Sequence, residues 1–217
     1  MDNPLAFHTP CNINLVAPTM SGKTQLVMNL LRQKEALFSP PPKKVLYAYA
    51  EWQDKFDWMQ EVIPDIEFHQ GLPSASFMDD WSSDNEPQAL ILDDLMTSIA
   101  SSAEMVQLYT VKCHHRQITT MTLQHSLYPP GKHSKTLSLN VNYFVLFRNQ
   151  RDLLQIQCFG RQCFPNNSKY FMDSYNKATS EPYGFLVVDL DPRSDKKYQL
   201  RSHILEGQTP VVYVPKL

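Results

Sequence analysis

The chain has 217 residues, of which 19% are charged and 11% are aromatic, and its formal net charge is -2. This composition excludes an intrinsically disordered chain, and the net charge excludes a protein that attracts nucleic acid over its whole surface. A contact with DNA must therefore come from a local basic surface. No apolar run approaches the roughly 20 residues of a membrane-spanning helix, and no signal peptide is evident. We expect an intracellular protein with no membrane partner.

The first pattern along the chain is typical of a phosphate-binding loop. An apolar run at residues 13–16 is followed by APTMSGKT at residues 17–24 and then by a helical pattern. Backbone N–H groups of such a loop, and of the helix that follows, point at one spot and bind phosphate. Lys23 is expected to reach the β- and γ-phosphates of a nucleoside triphosphate, and the Thr24 hydroxyl to bind Mg²⁺. The residues expected to contact the nucleotide are Pro18, Thr19, Met20, Ser21, Gly22, Lys23, Thr24 and Gln25.

Apolar runs alternate with helical patterns along most of the chain. Strands are predicted at residues 11–16, 44–49, 89–92, 118–123 and 142–147. Helices are predicted at residues 22–38, 52–63 and 98–114. The polar segments 70–87 and 125–140 are predicted to be surface excursions. The alternation predicts an α/β fold with a mainly parallel central sheet and helices on both faces.

The pattern changes in the last part of the chain. A helix is predicted at residues 169–179, followed by a pair of strands at 184–190 and 200–205. We expect residues 1–155 to form a P-loop ATPase core, and residues 156–217 to form a small α+β extension that packs on this core.

Two acids, Asp93 and Asp94, follow the third predicted strand. Because ligands bind at the carboxyl edge of a parallel sheet, both carboxylates are expected to face the phosphate loop. Asp93 is expected to hold Mg²⁺, and Asp94 to polarise the water that attacks the γ-phosphate. Gln124 ends the next predicted strand. If that strand lies between the strand before the loop and the strand of Asp93, Gln124 reaches the γ-phosphate region and can orient water without adding charge.

These three features, in this order, resemble the additional-strand P-loop ATPases. Within that group the chain resembles the FtsK–HerA superfamily, and most of all the genome-packaging ATPases of double-stranded DNA viruses, in the branch of Maverick/Polinton-type elements, adintoviruses and adomaviruses. The resemblance extends over nearly the whole chain and depends on residues 50–53, 91–96, 114–118, 138–140, 145–149, 151–152 and 182–184. The chain departs from the common pattern at Ala17 and Met20, where glycine is usual, and at Asp94, where glutamate is usual.

The resemblance implies a RecA-like P-loop NTPase that uses ATP and Mg²⁺ to pull double-stranded DNA into a viral capsid. It implies a homo-oligomeric ring, pentameric or hexameric, acting at the capsid or portal vertex in the nucleus or cytoplasm of an infected cell, or staying with the virion. In such a ring an arginine finger from the neighbouring subunit completes each site. Arg116 is the first candidate because its position resembles that of the superfamily's finger. The other candidates are Arg148, Arg151 and Arg161.

The contact with DNA and the chemistry both leave alternatives open. Lys132, His133 and Lys135 are candidates for contacts with the DNA backbone, and a solvated loop with two lysines is the alternative. A phosphate loop in a chain of this length also fits a small nucleoside or nucleotide phosphotransferase. Ala17 and Met20 suggest a third possibility, an NTP-binding assembly module that does not hydrolyse ATP.

Overall fold

The computed structural model describes residues 3–215. Its strands are β1 (Phe7–His8), β2 (Asn12–Val16), β3 (Phe38–Ser39), β4 (Lys44–Tyr49), β5 (Ile66–Gln70), β6 (Gln88–Asp93), β7 (Ile118–Gln124), β8 (Tyr143–Phe147), β9 (Phe185–Asp189), β10 (Leu200–Ser202) and β11 (Val211–Tyr213).

Ten α-helical segments connect and flank the strands of the described chain. They are α1 (Lys23–Arg32), α2 (Lys34–Leu37), α3 (Lys55–Val62), α4 (Ala75–Trp81), α5 (Met96–Ser101), α6 (Ala103–Gln107), α7 (Cys113–His115), α8 (Ser134–Leu139), α9 (Leu153–Cys163) and α10 (Ser168–Ala178). A π-helical turn (Leu108–Lys112) joins α6 to α7, and a 3-10 turn (Lys196–Tyr198) precedes β10. Within residues 3–215, no helix combines the length and the apolarity that crossing a bilayer requires.

Nine strands form one central sheet, in the order β11-β10-β9-β8-β2-β7-β6-β4-β5. The strands from β8 to β5 in this order are parallel. At the other side of the sheet, β9, β10 and β11 are added in antiparallel orientation. The strands β1 and β3 form a separate short parallel pair. The predicted α/β architecture with a mainly parallel sheet is confirmed, and all five strands predicted before residue 150 belong to that sheet.

Helices cover both faces of the sheet, and each face has its own hydrophobic core. Along β6, Leu90 and Leu92 belong to the cluster on one face, whereas Ala89 and Ile91 belong to the cluster on the other. The first cluster includes buried residues of α4 to α10, and the second includes buried residues of α1 to α3. Because these central strands are buried on both faces, each of them must be apolar on both sides, and this explains the continuous apolar runs in the sequence.

The first predicted helix, at residues 22–38, is shorter than expected. The helix α1 ends at Arg32, and Gln33 leaves the helical conformation with φ -107° and ψ 23°. The short helix α2 follows, and Phe38 then lies in β3, where its ring packs on Phe7 with 5.3 Å between ring centroids. The pairing of β3 with β1 outweighs the local helical pattern.

The helix predicted at residues 98–114 is divided into several segments. Ser102 adopts an extended conformation between α5 and α6, and its hydroxyl accepts a hydrogen bond from the Met105 amide at 3.2 Å. A serine that caps a helix in this way satisfies an amide that has no partner inside the helix. The break at Ser102 is therefore a helix start that the hydrophobic pattern alone does not reveal.

The two predicted surface excursions contain regular structure. The helix α4 lies within residues 70–87 and buries Met78 and Trp81, and α8 lies within residues 125–140 and buries Leu137. The strand β5, which was not predicted, extends the sheet beyond β4. Its sequence, IEFHQ, buries only Ile66, because an edge strand pairs with one neighbour and needs little apolar surface.

The predicted C-terminal helix and strand pair are present as α10, β9 and β10. The strand β9 pairs with β8 along its whole length, from Tyr143 opposite Asp189 to Phe147 opposite Phe185. The last strands therefore continue the central sheet. The division of the chain into a core, residues 1–155, and an extension, residues 156–217, stays a prediction.

Candidate active site

The phosphate loop connects β2 to α1 at the carboxyl edge of the sheet. The Ala17 amide donates to the Gln124 carbonyl oxygen at 3.1 Å, so the loop begins as a continuation of the pairing between β2 and β7. The two positive φ angles of the loop belong to Met20 (63°) and Gly22 (90°), whereas Ala17 has none. An alanine at residue 17 is therefore compatible with the loop, and the strained position is that of Met20, whose side chain is almost fully exposed.

Lys23 points back into its own loop. Its ammonium nitrogen donates to the carbonyl oxygens of Ala17 (2.7 Å) and Pro18 (3.1 Å) and lies 3.3 Å from Nδ1 of His125. Burial lowers the pKa of this ammonium, while the nearby carboxylates of Asp94 and Asp93 act to raise it. The cation therefore lies inside the loop, next to the space where phosphates are expected.

Asp93 ends β6 and is buried beside a tyrosine of the neighbouring strand. The Tyr47 hydroxyl donates to Oδ2 of Asp93 at 2.6 Å, because β4 and β6 are paired with Tyr47 opposite Ile91. Burial raises the pKa of the Asp93 carboxyl, and burial together with this carboxylate raises the pKa of Tyr47, so the phenol keeps its proton and remains a donor. Tyr47 holds one carboxylate oxygen and leaves the other for a ligand.

Asp94 lies just beyond the strand in a left-handed conformation, with φ 56°. Aspartate adopts this conformation more readily than most residues. Its side chain is about half exposed, and its Oδ1 lies 3.0 Å from Nε2 of His125. The turn therefore aims Asp94 away from the strand and toward the end of β7.

One cavity of about 370 Å³ joins these groups. Its lining includes the loop from Thr19 to Gln25, the two acids Asp93 and Asp94, and side chains from three other segments, which are Gln53, Lys55, His125 and Tyr183. Thr24 contributes a hydroxyl and the two aspartates contribute carboxylates, and such oxygen ligands are the kind that Mg²⁺ prefers. All of the predicted phosphate-loop residues except Pro18, together with both predicted acids, thus line one cavity.

A second, larger cavity of about 540 Å³ adjoins the first. Gly22, Gln25 and Tyr183 line both cavities. The Tyr183 ring lies over Gly22 so closely that a Cβ on this glycine would be 3.1 Å from Cδ1 of the tyrosine. Leu26, Phe147 and Phe185 give the second cavity apolar walls.

Gln124 ends β7, which lies between β2 and β6 as the prediction required. Its side chain is buried, however, and its amide nitrogen and oxygen have no hydrogen-bond partner among the described residues. By the alternation along β7, Gln124 shares a face with Thr122, and His125 is the residue after β7 that lines the cavity. The role of Gln124 toward the γ-phosphate stays a prediction.

The candidate arginine fingers lie in different places. Arg116 precedes β7, so it lies at the amino edge of the sheet, opposite the cavity, where its Nη1 donates to Oδ1 of Asp79 (2.5 Å) and Oγ of Ser82 (3.1 Å). Arg148 follows β8 at the carboxyl edge and is exposed, as is Arg151. Arg161 is exposed on α9, far along the chain from the loop. None of the four lines the cavity around Lys23.

Five residues of the site were not predicted as site residues from the sequence. They are Tyr47, Gln53, Lys55, His125 and Tyr183. A polar residue just after the Gln124 strand end was a usable signal for His125, because residues beyond the ends of neighbouring parallel strands meet. Tyr47 lies inside an apolar strand and looks like a core residue in the sequence. Tyr183 comes from the distant segment before β9, and only the folded chain brings it to Gly22.

The predicted DNA-contacting residues lie between β7 and β8. Lys132 and Lys135 are exposed and His133 is half-buried. Gly131 packs against Ala100, which holds the start of this segment on α5. The structure leaves both lysines on the surface, and their contact with DNA stays a prediction.

No family model and no curated protein sequence matches the chain. Its structure is similar to the crystal structure of B204, the DNA-packaging ATPase from Sulfolobus turreted icosahedral virus, with a TM-score of 0.55 and 8% identity over 100% of both chains. It is also similar to the genome packaging NTPase B204 from Sulfolobus turreted icosahedral virus 2 in complex with ATP-gammaS, with a TM-score of 0.54 and 13% identity over 99% of this chain and 100% of that chain.

A third similar structure is EssC (ATPases 2 and 3) from Geobacillus thermodenitrificans. The TM-score is 0.51 and the identity 12%, over 94% of this chain and 39% of that one. At these identities the likeness concerns the fold. Together with the strand order and the loop before α1, it shows that the chain has the fold of the P-loop NTPases.

Proposed function

We propose that this chain is the ATP-hydrolysing subunit of a viral genome-packaging motor that moves double-stranded DNA into a capsid. The observation that carries the proposal is the meeting of Lys23, Thr24, Asp93 and Asp94, four residues chosen from the sequence, around one cavity. The likeness to B204, which is a DNA-packaging ATPase of similar length, supports the packaging role.

The two adjoining cavities suit the two halves of a nucleoside triphosphate. The phosphates fit the cavity bounded by the loop, where backbone N–H groups and the start of α1 favour anions. The sugar and base then extend past Gly22 into the larger cavity, whose walls include Leu26 and Phe185. B204 has been crystallised with ATP-gammaS, which supports a nucleotide of this kind.

Each residue of the site has a distinct role in the proposed hydrolysis. Lys23 leaves the carbonyl oxygens of Ala17 and Pro18 and binds the β- and γ-phosphates. Thr24 and Asp93 would hold Mg²⁺, which would neutralise phosphate charge. Asp94 polarises the attacking water as a general base.

We also propose that the sites are completed by assembly into a homo-oligomeric ring, pentameric or hexameric. Arg116 lies at the edge of the sheet opposite its own cavity, so as a finger it can serve only a neighbouring subunit. Arg148 is the second candidate. The same proposal includes a capsid or portal vertex as partner and DNA contact through Lys132, His133 and Lys135. It also includes membership of the Maverick/Polinton, adintovirus and adomavirus branch.

DNA-stimulated ATP hydrolysis tests the function directly. We expect the wild type to hydrolyse ATP, faster with double-stranded DNA, and Lys23→Ala to lose roughly 10²–10³-fold in turnover because the loop then supplies no cation to the β- and γ-phosphates. Lys34→Ala is the matched control, since Lys34 pairs with Asp65 and does not line the cavity.

Other results of this assay separate the alternatives. Transfer of phosphate to a nucleoside or nucleotide, without stimulation by DNA, would identify a phosphotransferase. ATP binding with no turnover at any protein concentration would identify an assembly module. Equal turnover of Lys23→Ala and wild type contradicts the proposed site.

Mixing two inactive variants tests the ring. Arg116→Ala lacks the finger and Lys23→Ala lacks the phosphate contact, so a mixed ring contains some interfaces where both groups are intact. We expect each variant alone to be nearly inactive and the mixture to recover part of the turnover. Turnover per subunit that stays constant down to a demonstrated monomer contradicts a finger acting between subunits, and recovery with Arg148→Ala instead assigns the finger to Arg148.

A further inference from the structure

His125 connects the ends of three neighbouring strands. It follows β7, and its Nε2 lies 3.0 Å from Oδ1 of Asp94, which follows β6. Its Nδ1 lies 3.3 Å from both the Lys23 ammonium nitrogen and the carbonyl oxygen of Ala17, which follows β2. One imidazole ring therefore touches the residue proposed to bind the phosphates and the residue proposed to polarise water.

The two charged partners select one tautomer of the ring, because the third partner, the Ala17 carbonyl oxygen, already accepts from the Lys23 ammonium at 2.7 Å. An ionised carboxylate only accepts hydrogen bonds, so the proton lies on Nε2 and is donated to Asp94. An ammonium only donates, so Nδ1 is unprotonated and accepts from Lys23. The neutral ring with its proton on Nε2 satisfies both charged neighbours.

We propose that His125 is a positioning residue that couples the place of Lys23 to the place of Asp94. Without nucleotide, the Lys23 ammonium is held by Ala17, Pro18 and His125, and the opposite side of the same ring holds Asp94. When phosphates draw Lys23 away, Nδ1 loses its donor and the ring is held by Asp94 alone. Asp94 and His125 are each about half exposed, so the pair has room to turn toward the attacking water. This inference depends on the proposed hydrolytic function.

The ¹⁵N resonances of the histidine rings test the coupling without any turnover. We expect His125 to show the neutral form with its proton on Nε2, and its Nδ1 resonance to shift when Mg²⁺ and ATP-gammaS are added, because the Lys23 donor is lost. The His125→Asn spectrum assigns the signal. An Nδ1 resonance that does not respond to the nucleotide, or a proton on Nδ1 in the free protein, overturns the proposal.

Two substitutions separate the two sides of the ring in the hydrolysis assay. Glutamine places its amide nitrogen near the position of Nε2 and can still donate to Asp94, whereas asparagine reaches only the position of Nδ1. We expect His125→Asn to lower kcat by about 10-fold with KM for ATP nearly unchanged, and His125→Gln to retain most of the wild-type kcat. His69→Asn, on β5, is the matched control.

The results distinguish a failure of this inference from a failure of the proposed function. A wild type that hydrolyses ATP, with asparagine and glutamine variants that have equal kcat, overturns the role of His125 and leaves the ATPase intact. A wild type that binds ATP-gammaS but hydrolyses no ATP contradicts the proposed function, and the response of Nδ1 then decides alone whether His125 senses the position of Lys23.

Discussion

Two side-chain pairs in this protein, each of which contains a carboxylate, differ in their access to water. Arg201 and Asp189 are joined at 2.7 Å, with side-chain exposures of 1% and 2%. His125 and Asp94 are joined at 3.0 Å, with exposures of 51% and 48%. A charge that loses its partner in the interior keeps the cost of desolvation, whereas water replaces the partner at the surface. Removal of one partner of the first pair is therefore expected to destabilise the fold, whereas the partners of the second pair can separate at little cost.

The surroundings of the buried pair agree with a structural role. Arg201 also donates to the Tyr198 carbonyl oxygen at 2.9 Å, and its guanidinium lies 5.7 Å from the ring centroid of Phe7 and 5.8 Å from that of Tyr143. It thereby joins the last strands of the sheet to the amino-terminal segment and to β8. Lys23, by comparison, is bound by loop carbonyl oxygens that a phosphate can replace.

The comparison predicts that Asp94→Asn affects turnover and not stability. Asparagine accepts the left-handed conformation of this position, so the backbone is not strained. Loss of the carboxylate removes the group proposed to polarise water, and we expect kcat to fall by roughly 10²-fold or more. The surface pair with His125 is worth about 1 kcal/mol or less, so the melting temperature stays within a few degrees of wild type. A large drop in the melting temperature would break the comparison.

For Asp189→Ala we expect the opposite, a loss of stability with little change in turnover. This change leaves the Arg201 charge buried without its partner and removes the acceptor of the Asp191 amide, so the free energy of unfolding falls by about 3–5 kcal/mol. Turnover per folded molecule is expected to stay close to wild type. Urea unfolding and kcat, measured on the same preparations, check both parts.

A double variant sharpens this result. In Asp189→Ala/Arg201→Met no charge remains buried alone, and we expect part of the lost stability to return. A double variant less stable than Asp189→Ala would show that the contacts of the Arg201 guanidinium with Tyr198 and the aromatic rings, and not the ion pair, carry the stability.

Much of the candidate site could be predicted because its parts are continuous in the sequence. The phosphate loop lies between a strand and a helix, and Asp93-Asp94 directly follows an apolar run. The position of β7 between β2 and β6 then brings these segments to one edge. Parallel pairing makes this meeting a consequence of strand order alone.

The contacts that were not predicted depend on the register between paired strands and on segments that are far apart in the sequence. The bond from Tyr47 to Asp93 requires that β4 and β6 be neighbours with a particular register. The partner of Arg116 is Asp79 on α4, a helix inside a segment that looks like a polar loop. The Gln124 side chain is buried because of the alternation of side chains along β7. The apolar pattern places the end of this strand only to within a residue, so it does not tell whether residue 124 or residue 125 faces the cavity.

The smallest expected effect on the melting temperature concerns Asp93, which shares features with both Asp189 and Asp94. Its carboxyl is buried like Asp189, but its partner is the Tyr47 hydroxyl and not a cation. Because burial raises the pKa of Asp93, the folded protein binds more protons than the unfolded chain at pH values between the ordinary carboxyl pKa and the raised one. Stability therefore falls as the pH rises through that interval, and the ionised carboxylate remains a modest cost at neutral pH.

Asp93→Asn removes this cost while its amide oxygen can still accept from Tyr47. We expect the nucleotide-free variant to melt slightly above the wild type at pH 7, with the difference narrowing as the pH is lowered toward the ordinary carboxyl pKa. The same variant should lose Mg²⁺-dependent ATP binding, so ATP with Mg²⁺ raises the melting temperature of the wild type and not of the variant. Melting curves at several pH values, with and without Mg²⁺ and ATP, measure both effects. A variant less stable than the wild type at neutral pH would instead place Asp93 with Asp189, as a carboxylate that the fold needs in its charged form.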